Sequence, residues 1–262
     1  VKHAPRKRFG QHFLTDASVL QRIADAVSPR EGERIVEIGP GLGALTEVLL
    51  HRVPRMDAVE IDRDLVARLR RRWPDTLAVH EADALTFDFG ALAAGGRIRL
   101  VGNLPYNISS PLLIGLLAHR ASIVDAHFML QKEVVERIVA PHGGADYGRL
   151  SVMLQAFHHT ERLFDVPPEA FDPPPRVDSS VVRLRPRAEP LVKDRAALER
   201  LMAVAFGQRR KMLRGTLWPW LRTQGVDPED PSLGLPGTAR PEGIPVAVWA
   251  RVADRLVGAV AG

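Results

Sequence analysis

Short apolar runs recur along the first half of the chain, each followed by a stretch with helical spacing. Arg34-Ile35-Val36-Glu37-Ile38 reads as a strand, as do residues 57–61, 77–80, 98–101 and 127–130. Segments 44–52, 63–72, 108–119 and 132–140 repeat apolar residues at helical intervals. This alternation predicts an α/β fold with a parallel sheet and helices on both faces. Residues 179–184 predict one late strand, after the proline-rich loop from Pro167-Pro168 to Pro175. Beyond Pro186 the strand pattern stops, and 198–206 and 246–257 predict helices. The expected division is a 1–186 α/β domain with a basic N-terminal arm and a small 187–262 helical domain.

Composition narrows the classes. Apolar residues make up 45% of 262, enough for a sizeable core. No apolar run is long enough to cross a membrane, and the basic start, Val1 to Arg8, has no apolar segment behind it, so no secretory signal is expected. Cysteine is absent, which excludes disulfides, thiolate catalysis and Cys-ligated zinc and points to the cytoplasm. His158-His159 and the other histidines lack ligand spacing, so no catalytic metal is expected. The net charge is +5, and only five of the 36 basic residues are lysine. Arginine forks onto phosphates and stacks on bases, so this balance raises the expectation of a nucleic-acid partner.

The chemistry concentrates at predicted strand ends. Glu37-Ile38-Gly39-Pro40-Gly41-Leu42-Gly43 closes the first strand and opens a helix. Glycines there let backbone approach a ligand, and the helix start offers free N–H groups. Glu60, about twenty residues on, is placed to take the ribose hydroxyls of a nucleoside. Asp83, after the third strand, can reach an adenine amino group. Gly39-x-Gly41-x-x-Ala44 also fits a dinucleotide loop, so two enzyme classes stay open: a nicotinamide oxidoreductase and an S-adenosylmethionine-dependent transferase.

The fourth strand runs into Asn103-Leu104-Pro105-Tyr106. The Asn103 amide oxygen accepts from an exocyclic amino group without adding charge. Pro105 biases Leu104 to an extended conformation, which offers its carbonyl as a second acceptor. Tyr106 supplies a ring for stacking. Two acceptors and a platform suit an amino nitrogen of adenine or cytosine. Held in near-tetrahedral geometry before an electrophilic methyl, that nitrogen needs no strong base.

Asn-Leu-Pro-Tyr after such a glycine loop resembles the amino-methyltransferases of nucleic acids. More narrowly, the chain resembles the bacterial 16S ribosomal RNA adenine dimethyltransferases (the KsgA family). The stretches that carry this are 7–14, Glu37 to Thr46, Asn103 to Leu113 and 130–137, followed by 147–152, 166–171 and 206–211. They cover nearly the whole chain in the family's order. The resemblance implies a Rossmann-like class I methyltransferase sheet and S-adenosylmethionine as methyl donor. It implies backbone contacts to the donor from His12 and Leu14. Gly39 and Gly41 would face its amino-acid part, Glu60 with Ile61 its ribose, and Asp83 with Ala84 its adenine. Asn103 would touch both donor and target, and Tyr106 and Phe171 would sandwich the target adenine. The family more often has Asn where this chain has His12. The implied product is N6,N6-dimethyladenosine at two adjacent adenosines near the 3′ end of 16S RNA within the small ribosomal subunit, made by a monomer.

Two basic regions are candidate RNA contacts: Lys7 and Arg8 in the N-terminal arm, and Arg209-Arg210-Lys211 with Arg214 in the helical domain. Arg149 is a further one. Phosphate contacts there would position RNA and weaken with salt. Two rivals remain: a large-subunit RNA methyltransferase of the resistance type, and a non-catalytic nucleic-acid-binding assembly factor.

Overall fold

The computed structural model describes residues 12–260. In chain order they form β1 (Phe13–Leu14), α1 (Ala17–Val27), β2 (Arg34–Ile38), α2 (Ala44–Leu50), β3 (Met56–Glu60), α3 (Arg63–Arg72), β4 (Leu77–Glu81), α4 (Phe89–Ala93), β5 (Ile98–Asn103) and α5 (Ser109–Leu116). There follow β6 (Ile123–Gln131), α6 (Lys132–Val139), α7 (Arg149–Phe157), β7 (His158–Val166), β8 (Phe171–Asp172), β9 (Ser179–Pro186), α8 (Arg195–Gly207), α9 (Leu213–Thr223) and α10 (Val246–Val260). The chain divides into two compact units. One takes Val1–Val135 and Glu161–Pro186, the other Glu136–Thr160 and Arg187–Gly262. Glu136–Thr160 is grouped with the segment that follows Pro186.

Seven strands form one sheet in the order β4-β3-β2-β5-β6-β9-β7. From β4 to β6 neighbouring strands are parallel, as the alternation predicts. The late strand β9 is antiparallel to β6, with Phe128 opposite Val182, so the sheet is mixed. Strand order reverses between β2 and β5, where the crevice of an open α/β sheet binds its ligand. The carboxyl ends of β2, β3, β4 and β5 therefore share one edge of the sheet. This is the Rossmann-like arrangement.

Local sequence explains the elements around that edge. Asp16 caps α1 by accepting from the amides of Ser18 and Val19, and α1 buries Val19, Leu20, Ile23, Ala24 and Val27 on one face. Asp62 caps α3, whose last turn ends in Arg70, Arg71 and Arg72, the favourable sign for a helix C-terminus. Gly102 is dictated by contact between strands: a Cβ there would lie 2.4 Å from the Ile38 carbonyl oxygen of β2. At the start of β5, Arg99 donates to both oxygens of Asp125 on β6 (2.9 and 2.7 Å) and to Glu33 (2.6 Å). That network ties the two central strands together far from the carboxyl edge.

The second unit is helical, with α7, α8 and α10 packed on one another and α9 on α8. Its core holds a file of rings, Tyr147–Phe206–Trp249, with centroids 6.4 and 6.1 Å apart. The Tyr147 hydroxyl donates to the Ile244 carbonyl at 2.8 Å. Tyr147 is thus a core residue of this unit.

Candidate active site

A cavity of about 380 Å³ opens at the carboxyl edge of β2–β5, within the range of small-molecule sites. His12, Leu14, Gly39, Gly41, Glu60, Ile61, Asp83 and Ala84, the residues expected at the donor, line it, as do Asn103, Leu104 and Tyr106.

The glycine loop is shaped by backbone need. Gly39, Gly41 and Gly43 all have positive φ, at 68°, 58° and 83°, which side-chain-bearing residues rarely adopt. Their surroundings differ. A Cβ on Gly39 would meet only the Asn103 carbonyl, at 3.9 Å, so that backbone is bare toward the cavity. A Cβ on Gly41 would press on the Phe13 ring at 3.1 Å, and one on Gly43 would strike Trp73 at 2.5 Å. Gly39 thus leaves its backbone open to the cavity, and Gly43 is set by packing against Trp73.

Glu60 ends β3 almost fully buried. Its carboxylate accepts from the amides of Gly41 (3.2 Å), Ile61 (2.9 Å) and Asp62 (2.9 Å). Burial pushes its pKa up, and those amides pull it back. Each carboxylate oxygen has two lone pairs, so acceptor capacity is left for a hydroxyl. Asp83 uses one oxygen to accept from the Leu85 amide at 2.9 Å, which fixes the turn after β4. Glu37, on the same cavity, was not singled out from the sequence. It is 2% exposed, accepts from the Thr46 hydroxyl at 2.5 Å, and is pushed up to about 7 by burial, with Glu60 adding to the rise. Its signal in the sequence is a lone acid in the apolar strand Ile35-Val36-Glu37-Ile38, directly before the glycines.

Asn103 has a defined amide orientation. Its Nδ2 donates to the His12 carbonyl at 3.0 Å, and because a carbonyl only accepts, Oδ1 is directed the other way. Tyr106 is held by its hydroxyl, 2.8 Å from the Ser179 hydroxyl of β9. Ser179 is fully buried and is a second residue the sequence reading missed; it sits where two serines precede Val181 and Val182 at the start of β9.

Phe171 is 4% exposed, pairs with Leu14 across the short β1–β8 ladder, and belongs to the apolar core. The ring that stacks near Tyr106 is His12, with centroids 5.9 Å apart and planes 25° from parallel.

Of the expected RNA contacts, Lys7 and Arg8 lie outside the described residues. In the helical unit Arg149 pairs with Glu199 at 3.1 Å, and Arg209 donates to the Ala145 carbonyl and approaches Glu242 at 3.9 Å. Arg210, Lys211 and Arg214 are exposed, without an acidic partner among the described residues.

A model of the ribosomal RNA adenine dimethylase family matches residues 2–231. The chain belongs to that family. It is 59% identical over 226 residues to a ribosomal RNA small subunit methyltransferase A of Leptothrix cholodnii, covering 86% of this chain and 83% of that protein. It is 57% identical over 258 residues to the protein of the same description from Thiobacillus denitrificans, covering 97% and 98%. Among solved structures, a 23S rRNA methyltransferase, ErmE, superposes with a TM-score of 0.70 at 28% identity, covering 94% of this chain and 99% of that one. A dimethyladenosine transferase from Plasmodium falciparum shares the fold, with a TM-score of 0.80 at 24% identity over 95% and 98%. Membership of the ribosomal RNA adenine dimethylases explains why an amide, a proline and a ring follow a nucleoside-type strand edge. It removes the dehydrogenase reading of the glycine loop.

Proposed function

We propose that the protein transfers methyl groups from S-adenosylmethionine to the N6 atoms of two adjacent adenosines near the 3′ end of small-subunit ribosomal RNA, two to each. The observation that carries this is the fixed Asn103 amide, with Oδ1 turned away from His12, beside the cavity edge formed by Glu60 and Asp83. The residues present fit the donor. Bare backbone at Gly39 admits its amino-acid part, and the acids of β3 and β4 meet a ribose and an adenine. Glu37 and Glu60, both pushed up by burial, favour a cation beside them. When bound, S-adenosylmethionine supplies an electrophilic methyl group.

Asn103 Oδ1 and the Leu104 carbonyl would each accept one N6 hydrogen and turn the nitrogen lone pair toward that methyl. A new N–C bond forms as the S–C bond breaks, the sulfur keeps the electron pair, and the displaced N6 proton leaves to water. No strong base is required, so positioning and oriented dipoles lower the barrier. For the second methyl the nitrogen carries one hydrogen, so one of the two acceptors must serve alone. Arg210, Lys211 and Arg214 would hold RNA phosphates, and Arg149 and Arg209 would do so only by giving up acidic partners.

The small-subunit reading is favoured over the large-subunit one by the printed names of the relatives at 59% and 57% identity, against 28% for the 23S enzyme. Unmethylated small and large subunits, each incubated with protein and labelled donor, test it. N6,N6-dimethyladenosine is expected in digests of small-subunit RNA only. Label confined to large-subunit RNA, or to neither, would refute the proposal.

A further inference from the structure

We infer that Ser179 is a positioning residue for methyl transfer: its hydroxyl fixes the Tyr106 ring relative to the acceptors Asn103 and Leu104. The inference rests on the proposed base-methylating activity and adds a residue to it. Tyr106 lies in the loop between β5 and α5 and is half-buried, so backbone alone does not set its ring. Its hydroxyl is 2.8 Å from Ser179 Oγ, across 73 positions of sequence. Ser179 is fully buried. A buried hydroxyl is costly without a partner, and the partner here is Tyr106.

The strands explain what this bond ties together. Asn103 ends β5 and pairs with Met129 of β6, and the Leu104 amide donates to the Met129 carbonyl at 3.1 Å. Two residues on, Gln131 of β6 pairs with Ser179 at the start of β9. The two acceptors and the Ser179 hydroxyl therefore belong to one hydrogen-bonded block, β5–β6–β9. Tyr106 joins that block twice, along the chain through Pro105 and across it through its hydroxyl. The second tie holds the far end of the ring. A base stacked on that ring then presents its amino group at a set distance from Asn103 Oδ1. Without the tie the ring pivots about its Cα–Cβ bond, and the base reaches the in-line geometry less often.

The test is a double-mutant cycle on methylation of unmethylated small subunits. Ser179→Ala and Tyr106→Phe remove the same bond from opposite ends. Each is expected to lower kcat about three- to tenfold, and the double variant no further. Half-saturation by RNA and calorimetric donor affinity are expected to hold, so kcat and kcat/KM fall together. Ser180→Ala is the control for a merely structural role. Ser180 is also fully buried, but its hydroxyl donates to the Phe164 carbonyl at 3.1 Å. It is expected to lower the urea midpoint and leave kcat unchanged. Tyrosine labelled with carbon-13 at Cζ reports the bond without turnover. The chain has two tyrosines, and Tyr147 donates elsewhere, to Ile244, so Ser179→Ala is expected to shift one signal of two. Full kcat in Ser179→Ala, additive losses in the double variant, an equal loss in Ser180→Ala or two unmoved signals would each overturn the inference. An inactive wild type would refute the proposed reaction and the task of Ser179 with it; an active wild type with any of those results sinks the positioning alone.

Discussion

In the proposed reaction Asn103 concentrates the chemistry in one side chain, and the two ends of its amide have different tasks. Nδ2 is committed to the His12 carbonyl at 3.0 Å, which leaves Oδ1 as the acceptor. Asn103→Ala removes that oriented dipole and is expected to lower kcat about 100-fold or more, with donor affinity kept within a few-fold. Asn103→Asp is expected to fail equally, because a carboxylate has no N–H for the His12 carbonyl. Single-turnover methylation of unmethylated small subunits, with donor titration alongside, checks both; turnover retained in Asn103→Asp would show that the amide end does not matter. At Tyr106 the ring and the hydroxyl separate in the same way. Tyr106→Phe keeps the stacking face and loses the Ser179 bond, so it is expected to cost less than about tenfold in kcat/KM. Tyr106→Ala loses the platform, and a larger effect is expected, comparable to other base-stacking deletions.

Strands β2 and β5 meet at the edge that carries the candidate site, and Gly102 sets how closely they approach. A methyl group there would lie 2.4 Å from the Ile38 carbonyl, so backbone must move. Gly102→Ala is expected to cost about 1–3 kcal/mol, read as a lower urea midpoint. Arg99→Leu, at the other end of β5, strands Asp125 with no counter-charge and is expected to cost about 3 kcal/mol. Neither effect was legible in the sequence. Gly102 reads as the small residue before Asn103, because the carbonyl that excludes a Cβ comes from a strand more than sixty residues away. The central strands themselves were legible as short, mainly apolar runs, even with Glu37 in β2 and Arg99 in β5. β7 was not: His158-His159-Thr160-Glu161-Arg162 is polar, as a strand at the sheet edge is allowed to be. The short β1–β8 ladder was also invisible, being two residues long on each side. That ladder pairs Leu14 with Phe171, a member of the apolar core.

Two buried groups on the central strands give the molecule as a whole opposing responses to pH. Glu37 is pushed up to about 7 from an ordinary value of 4.5 by burial. Below 4.5 it is neutral in both states. As pH rises toward 7 the unfolded chain gives up that proton and the folded one keeps it, so stability falls, by about 3 kcal/mol in total. His127 is pushed down from 6.5 to about 4, again by burial first. Above 6.5 it is neutral in both states; as pH falls toward 4 only the unfolded chain takes up the proton, so stability falls in that direction by a similar amount. Between 4.5 and 6.5 the two slopes oppose each other and largely cancel. Single substitutions expose them. Glu37→Gln, which can still accept from Thr46, is expected to gain stability over wild type progressively from pH 4.5 to 7. His127→Leu is expected to gain over wild type progressively as pH falls from 6.5 to 4. His127 tolerates leucine because neither ring nitrogen has a hydrogen-bond partner among the described residues. Urea midpoints at constant ionic strength measure both difference curves. Parallel profiles for wild type and Glu37→Gln would mean that Glu37 is ionised in the folded protein. The cavity would then meet the donor's positive charge with a carboxylate already charged, and donor binding would take place without proton release. If Glu37 instead holds its proton near neutrality, adding S-adenosylmethionine is expected to release it, and donor affinity is expected to rise with pH up to about 7.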